Sequence, residues 1–169
     1  MKKLLFKGAM LLIALTLTLS ALLSCGGSEE NSGAEYSVTV GGVTVKPDMD
    51  MAEILPAITE TYKYSESSAC PPFEGTEKLY DFTSIKITTY SKDGKDLVMG
   101  IFLKDESLNI SGVSIGSSFE DMKTKLGENY AEAGVGNYVY TAKDGAKLKC
   151  VVKNGSVVLL QLITKAADS

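Results

Sequence analysis

Asp50-Met51-Ala52-Glu53-Ile54-Leu55-Pro56-Ala57-Ile58 and Ser118-Phe119-Glu120-Asp121-Met122-Lys123-Thr124-Lys125-Leu126 are two versions of one pattern. Each opens on a residue suited to cap a helix, Asp50 or Ser118, with an acid three places on, Glu53 or Asp121, which is the capping-box spacing. Apolar side chains then fall at matched steps: Met51, Ile54 and Ile58 against Phe119, Met122 and Leu126. At 3.6 residues per turn those steps draw one apolar stripe along a short helix. Gly127 offers the left-handed position that ends the second helix. Pro56 has no N–H to donate, so the first copy is expected to be one or two irregular turns.

Outward from both segments the period changes from helical to alternating. Val43-Thr44-Val45 and Val113-Ser114-Ile115 precede them as short β-like runs, and strand-like runs follow. The first set is residues 78–82, 84–90 and 97–103; the second is residues 137–141, 147–152 and 157–163. Asp93-Gly94, Asp144-Gly145 and Asn154-Gly155 stand between successive runs, and such dipeptides are the strongest local hairpin signals. A leading run at residues 36–40, turned at Gly41-Gly42, is expected to extend the first sheet. The expected fold is α+β, with two tandem helix-plus-antiparallel-meander repeats at residues 36–106 and 107–169. They pack as one small domain, because neither alone hides its apolar side.

The first residues are of another kind. Lys2, Lys3 and Lys7 precede an uncharged run from Gly8 to Ser24, rich in leucine. A basic segment followed by an apolar one is the pattern of a secretory signal, and this run is short for a membrane span. Residues 1–24 are therefore expected to be a signal peptide. Leu22-Leu23-Ser24-Cys25 resembles the bacterial lipobox, in which the cysteine takes a diacylglyceryl thioether. Leu23 stands where that pattern favours a smaller or β-branched residue. Cys25 is the expected lipidation site, and two or more acyl chains at about 0.8 kcal/mol per buried CH₂ give a stable anchor. Residues 25–35, from Cys25 through small and charged residues, read as a flexible tether. The domain is expected on the outer side of a cell membrane, held there by its N-terminal lipid.

Composition narrows the chemistry. Without Lys2, Lys3 and Lys7, 14 lysines face 21 acids, a net charge of −7, and the chain contains no arginine. Nucleic-acid binding wants a basic footprint and arginine forks, so no nucleic-acid partner is expected. There is no histidine and no tryptophan. Missing histidine removes the commonest proton shuttle at neutral pH and every His-containing triad. Cys70 and Cys150 are the thiols left after processing. In an oxidising compartment they pair, closing a loop worth roughly 4 kcal/mol, or Cys150 packs in an apolar strand as a small hydrophobe. No catalytic residue, metal site or cofactor is expected from these spacings.

Gly112-Val113-Ser114-Ile115-Gly116-Ser117-Ser118-Phe119-Glu120-Asp121-Met122, Leu126-Gly127, Tyr138, Tyr140, Leu148 and Asn154-Gly155-Ser156-Val157 together form a glycine-flanked strand, a capped helix ending in Leu-Gly, and meandering strands. This resembles the tandem-repeat extracytoplasmic domains related to β-lactamase inhibitory protein and, more distantly, the BamE-type outer-membrane assembly lipoproteins. Cys70-Pro71-Pro72-Phe73-Glu74-Gly75, Tyr80 and Thr89-Tyr90 bring it closer to lipoproteins of Gram-positive anaerobes, the diproline adding one residue to the usual motif. The resemblance covers most of residues 36–163 and implies a binding or scaffolding role in the envelope. None of the inhibitors' contact residues can be carried over. Their disulfides lie within repeats, whereas a Cys70–Cys150 bridge would cross them.

Tyrosines are the main candidates for contact. Tyr gives a large amphipathic surface at low entropic cost, and Tyr80, Phe82, Tyr90, Tyr138, Tyr140 and Phe73 are the expected binding surface. The alternative is that these rings, like Tyr62, Tyr64 and Tyr130, close the core. Asp48, Asp50, Glu53, Asp93 and Asp96 are close enough in sequence for acid/base work, although capping and turn preferences account for most of them. Residues 65–75 form the longest irregular segment expected. The function expected first is that of a non-enzymatic envelope lipoprotein binding a protein or cell-wall partner. Behind it stand an envelope enzyme using carboxylates or a lysine, and a purely structural assembly lipoprotein.

Overall fold

The computed structural model describes residues 33–168. The expected signal peptide, Cys25 and most of the tether lie outside the described residues. The fold is α+β, with two helices that each lead into a β-rich stretch. β1 (Val38–Val40) and β2 (Val43–Val45) come first, followed by α1 (Met51–Ile54), which runs into a 3₁₀ turn, Leu55–Ala57. Then come β3 (Tyr62–Ser68), β4 (Thr76–Phe82), β5 (Ile85–Lys92) and β6 (Lys95–Leu103). The second stretch is α2 (Phe119–Leu126), β7 (Ala131–Glu132), β8 (Asn137–Thr141), β9 (Lys147–Lys153) and β10 (Ser156–Ile163), with a closing 3₁₀ turn, Lys165–Asp168.

β3 to β10 form one eight-stranded sheet in the order β3-β4-β5-β6-β10-β9-β8-β7. The last strand of each stretch meets the other at the centre, antiparallel, with Phe102 opposite Gln161, Ile101 opposite Leu162 and Gly100 opposite Ile163. One row of side chains shows how the two stretches share a core. Tyr80 opposes Ile87, Ile87 opposes Ile101, Ile101 opposes Leu162, Leu162 opposes Leu148, and Leu148 opposes Tyr140. All six are buried. Met51 and Ile54 of α1, Met122 of α2, and Val38, Val40 and Val45 of the β1–β2 hairpin complete the same cluster. Fully burying a side chain of this size contributes roughly 1.5–3 kcal/mol, so the row forms a continuous apolar spine from β4 to β8.

The helices follow their sequence signals closely. The Asp50 carboxylate accepts from Ala52 N at 3.0 Å, and Ser118 Oγ accepts from Asp121 N at 3.0 Å. Each cap residue also bridges the last strand of its own stretch, Asp50 with Leu97 and Ser118 with Ser156. Pro56 sits in the opening of the 3₁₀ turn, where a missing N–H costs nothing. Gly127 ends α2 at φ 84°, ψ −179°, a region open essentially to glycine alone, while its N–H bonds Lys123 O at 2.8 Å.

Three expectations change. Val38–Val40 pairs only with Val43–Val45, in a separate two-stranded sheet that does not extend the large one. Residues 113–115 form no strand; Val113 makes an isolated bridge with Ile110. Residues 65–68, expected to be irregular, are the second half of β3. There Tyr62, Tyr64 and Glu66 lie opposite Phe82, Tyr80 and Lys78. The rest of the strand is polar because it is an edge strand, and β3 is exposed along its whole length.

Candidate binding face

Tyr80, Phe82, Tyr90 and Tyr140 are buried, and Tyr138 and Phe73 are half-buried. The expected tyrosine surface is therefore mostly core. Burial raises the pKa of Tyr140, and its hydroxyl donates to Gly127 O at 3.1 Å, tying β8 to the end of α2. Burial first, and then the Asp48 carboxylate that its hydroxyl meets at 2.8 Å, push Tyr90 up to about 12. The most exposed rings among the described residues are Tyr62 and Tyr64 on β3, 43% and 50% exposed. They lean on the outer end of the core, with centroids 5.6 Å (Tyr62–Tyr80), 5.1 Å (Tyr62–Phe82) and 5.3 Å (Tyr64–Tyr80) apart. A matching group of Phe119, Tyr130, Tyr138 and Tyr140 closes the other end beside α2. Tyr138 and Tyr140, two residues apart on β8, share one face, which is the face the helices cover.

Cys70 and Cys150 are both free, the first exposed and the second buried. The expected bridge is absent for a geometric reason. Cys70 lies in the loop after β3 and Cys150 in the middle of β9. Four strand spacings at about 4.8 Å separate β4 from β9, far beyond the ~7 Å limit between bridged Cα atoms. Burial pushes the Cys150 thiol up to about 12, which leaves it protonated and inert at neutral pH.

Asp48, Asp50 and Asp96 are each engaged by a separate partner. Asp48, at φ 63°, accepts from Tyr90 Oη and from Thr164 Oγ1 at 2.7 Å, pinning the approach to α1 against the end of β10. Asp50 caps α1 and meets Lys95 Nζ at 3.2 Å. Asp96 pairs with Lys78 at 2.5 Å. Among the described residues no group of three or more His, Cys, Asp or Glu is gathered, and no helix is long and apolar enough to cross a membrane.

The opposite face of the sheet is the surface that sequence reasoning missed. Shifting one residue along every strand flips the side chain to the other side, and the row next to the buried spine has a different character. Lys63 opposes Asp81, Asp81 opposes Lys86, Lys86 opposes Phe102, Phe102 opposes Gln161, Gln161 opposes Lys149, and Lys149 opposes Val139. A parallel row runs Ser65, Leu79, Thr88, Gly100, Ile163, Lys147, Thr141. At its centre a Cβ on Gly100 would lie 3.1 Å from Thr88 Oγ1 and 3.5 Å from both Ile163 and Phe102, so these side chains close over the glycine from one side. Ile163 and Tyr90 are the two buried apolar residues that stand outside the helix-side cluster.

On this face Leu79, Phe102, Val139, Val151 and Leu159 are only partly covered, and among the described residues no helix lies over them. A shallow hollow of about 370 Å³ runs among Val139, Lys149, Val151, Leu159 and Gln161. Lys86 Nζ stands 5.9 Å from the Phe102 ring centroid. Lys104 Nζ grips Asp81 at 2.7 Å and Phe82 O at 2.6 Å. The Lys104 hydrogen bond, followed by the charges of Lys104, Lys86 and Lys63, holds the Asp81 carboxyl below its ordinary range. Such a surface, with apolar side chains set among cations, offers broad noncovalent contact. The signal for it lies in the alternation of each strand, but which strands stand side by side is a tertiary fact.

Comparison with protein-family models, curated proteins and solved structures gives no match.

Proposed function

We propose that this chain is a non-enzymatic, lipid-anchored module of the cell envelope. It stands on the outer side of the membrane through Cys25 and binds another protein on the uncovered face of its sheet. The observation that carries this reading is that face, where Phe102, Leu159, Val151 and Val139 lie partly open and, among the described residues, no helix or strand packs over them. Antiparallel sheets tolerate one wet face, normally by making it polar, so apolar side chains left there point to a partner. The finer architecture belongs to the same proposal: residues 36–106 and 107–169 are two tandem copies of one helix-plus-meander unit. The matched bridges from Asp50 to Leu97 and from Ser118 to Ser156 support it, as does the central meeting of β6 with β10. The signal-like residues 1–24 and the lipobox-like residues 22–25 support the location.

Hydroxyl-radical footprinting tests the binding face. Phe102 and Leu159 are expected to be oxidised several-fold less on intact cells than in the purified protein, while Val135, fully exposed in a turn, reacts equally in both. Equal oxidation of all three in both settings overturns the reading. Cys25→Ser is expected to move the protein into the soluble fraction, and unchanged membrane retention refutes the anchor.

A further inference from the structure

We infer that the partner received by this face is a protein surface that carries carboxylates around an apolar centre. This deepens the proposed function and rests on the uncovered sheet face being the binding surface. The chain as a whole is acidic, at −4, yet the row next to the buried spine holds Lys63, Lys86 and Lys149 against one acid, Asp81. That acid is itself neutralised by Lys104. On the helix side the charges are mixed: Asp50 and Glu53 at α1 and Glu120 and Asp121 opening α2 stand with Lys95, Lys123 and Lys125. Charge of one sign collected on one face of a protein of the other sign steers a complementary surface and repels a like one. Two copies docked through this face would set lysine against lysine, so the partner is a different chain.

The spacing gives the partner's chemistry more detail. Lys63 and Lys86 are two strand spacings apart, about 10 Å, and Lys86 and Lys149 three, about 14 Å. Phe102 and Gln161 lie between the latter two. Apolar residues inside a frame of cations suit a folded protein surface with a desolvated centre. A flexible polyanion would be served by the lysines alone and would gain nothing from Phe102, Val151 or Leu159.

Carbodiimide cross-linking on intact cells that make the full-length chain tests this, because it joins a lysine amine directly to a carboxylate in contact with it. The expected products are peptides in which Lys86 or Lys149 is bonded to an Asp or Glu of a second, different polypeptide. Their yield is expected to fall about tenfold in 0.5 M salt, where exposed charges are screened, and the complex itself, scored by the arm that follows, is expected to fall as far in K86E/K149E. A parallel arm uses a lysine-to-lysine cross-linker of about 11 Å to score the complex irrespective of its charges, in F102S and in K86E/K149E. If F102S abolishes the complex and K86E/K149E leaves it whole, the face binds but its partner is not acidic, and this inference falls alone. If neither variant changes the complex, the proposed binding face falls with it. Equal binding of the purified protein to phosphatidylglycerol vesicles, lost in K86E/K149E, overturns the inference in favour of a lipid surface. Cross-links confined to a second copy of this chain overturn it as well. Circular dichroism and thermal melts of each variant verify that it is folded.

Discussion

The stretch led by α1 and the stretch led by α2 each place their first strand on an outer edge of the sheet, at opposite ends, and protect those edges differently. β3 is seven residues long and fully exposed, with Lys63 and Glu66 along it; β7 is two residues long and gives way to a turn at Gly134. An unpaired strand edge is a template for unwanted pairing, and charge or brevity each blunt it. The helices differ in the same spirit. α1 is cut to four residues ahead of Pro56, yet it buries Met51 and Ile54; α2 runs for eight residues and fully buries Met122 alone. Helix length therefore does not set helix anchoring. What the two share is a capped first turn bridged to the last strand of the stretch, and that clamp aims the apolar stripe at the sheet.

The two cysteines, one in each stretch, offer the most extreme contrast. In the native protein Cys70 is expected to react with a thiol reagent at the rate of an open thiol, and Cys150 at least about a thousandfold more slowly, since reaching it takes opening of the core. Mass spectrometry of timed alkylation reads both rates. Equal rates would mean that the second stretch is loosely packed.

Leu162→Ala, at the junction of the two stretches, is expected to cost about 2–5 kcal/mol. Urea unfolding should remain a single transition by far-UV and tyrosine signals alike; two transitions would break the claim of a shared core. Gly127→Ala should cost about 1–3 kcal/mol, because its backbone lies where other residues are strained. Pro56→Ala should stay within about 1 kcal/mol, because Pro56 occupies a position that needs no N–H. Reversal of that order in thermal melts would show that α1, not α2, depends on its terminator.

The smallest effect is expected from pH. Asp50 is held low by its bond from Ala52, Asp81 by Lys104 and Asp105 by its bonds from Ser107. Carboxylates with depressed folded pKa values stabilise the fold above their unfolded values, and that support is lost as pH falls through the folded ones. Cys150 and Tyr90, both raised to about 12, act at the other end. Their unfolded forms lose protons first, so stability declines as pH rises from about 9 toward 12. With no histidine in the chain, the midpoint of urea unfolding should be flat between pH 5 and 8, and a slope in that window would contradict the assignment.

Local signals in the sequence were legible where the physics is local. Asp93-Gly94, Asp144-Gly145 and Asn154-Gly155 all form the hairpin turns expected of them, with positive φ at each glycine and at Asp93 and Asn154. Ser118 caps α2 as read, Gly127 ends it with a positive φ but an extended ψ in place of the left-handed helical one expected, and Pro56 spoils the first helix as read. β3 was hidden because an edge strand exposed on both sides has little apolar alternation to announce it. The Tyr and Phe residues were visible as a group, but burial depends on what lies above a strand, and sequence spacing carries no information on that.

The sequence by itself determined two capped helical stripes, the strands that follow them and the charge of the chain, because caps, turns and periodicity act over a few residues. Only the tertiary structure decided that β6 lies beside β10, and so that Lys86, Phe102 and Lys149, far apart along the chain, share one open row. Strand order is set by non-local burial of the spine from Tyr80 to Tyr140, and the face opposite that spine takes its chemistry as a consequence of the register.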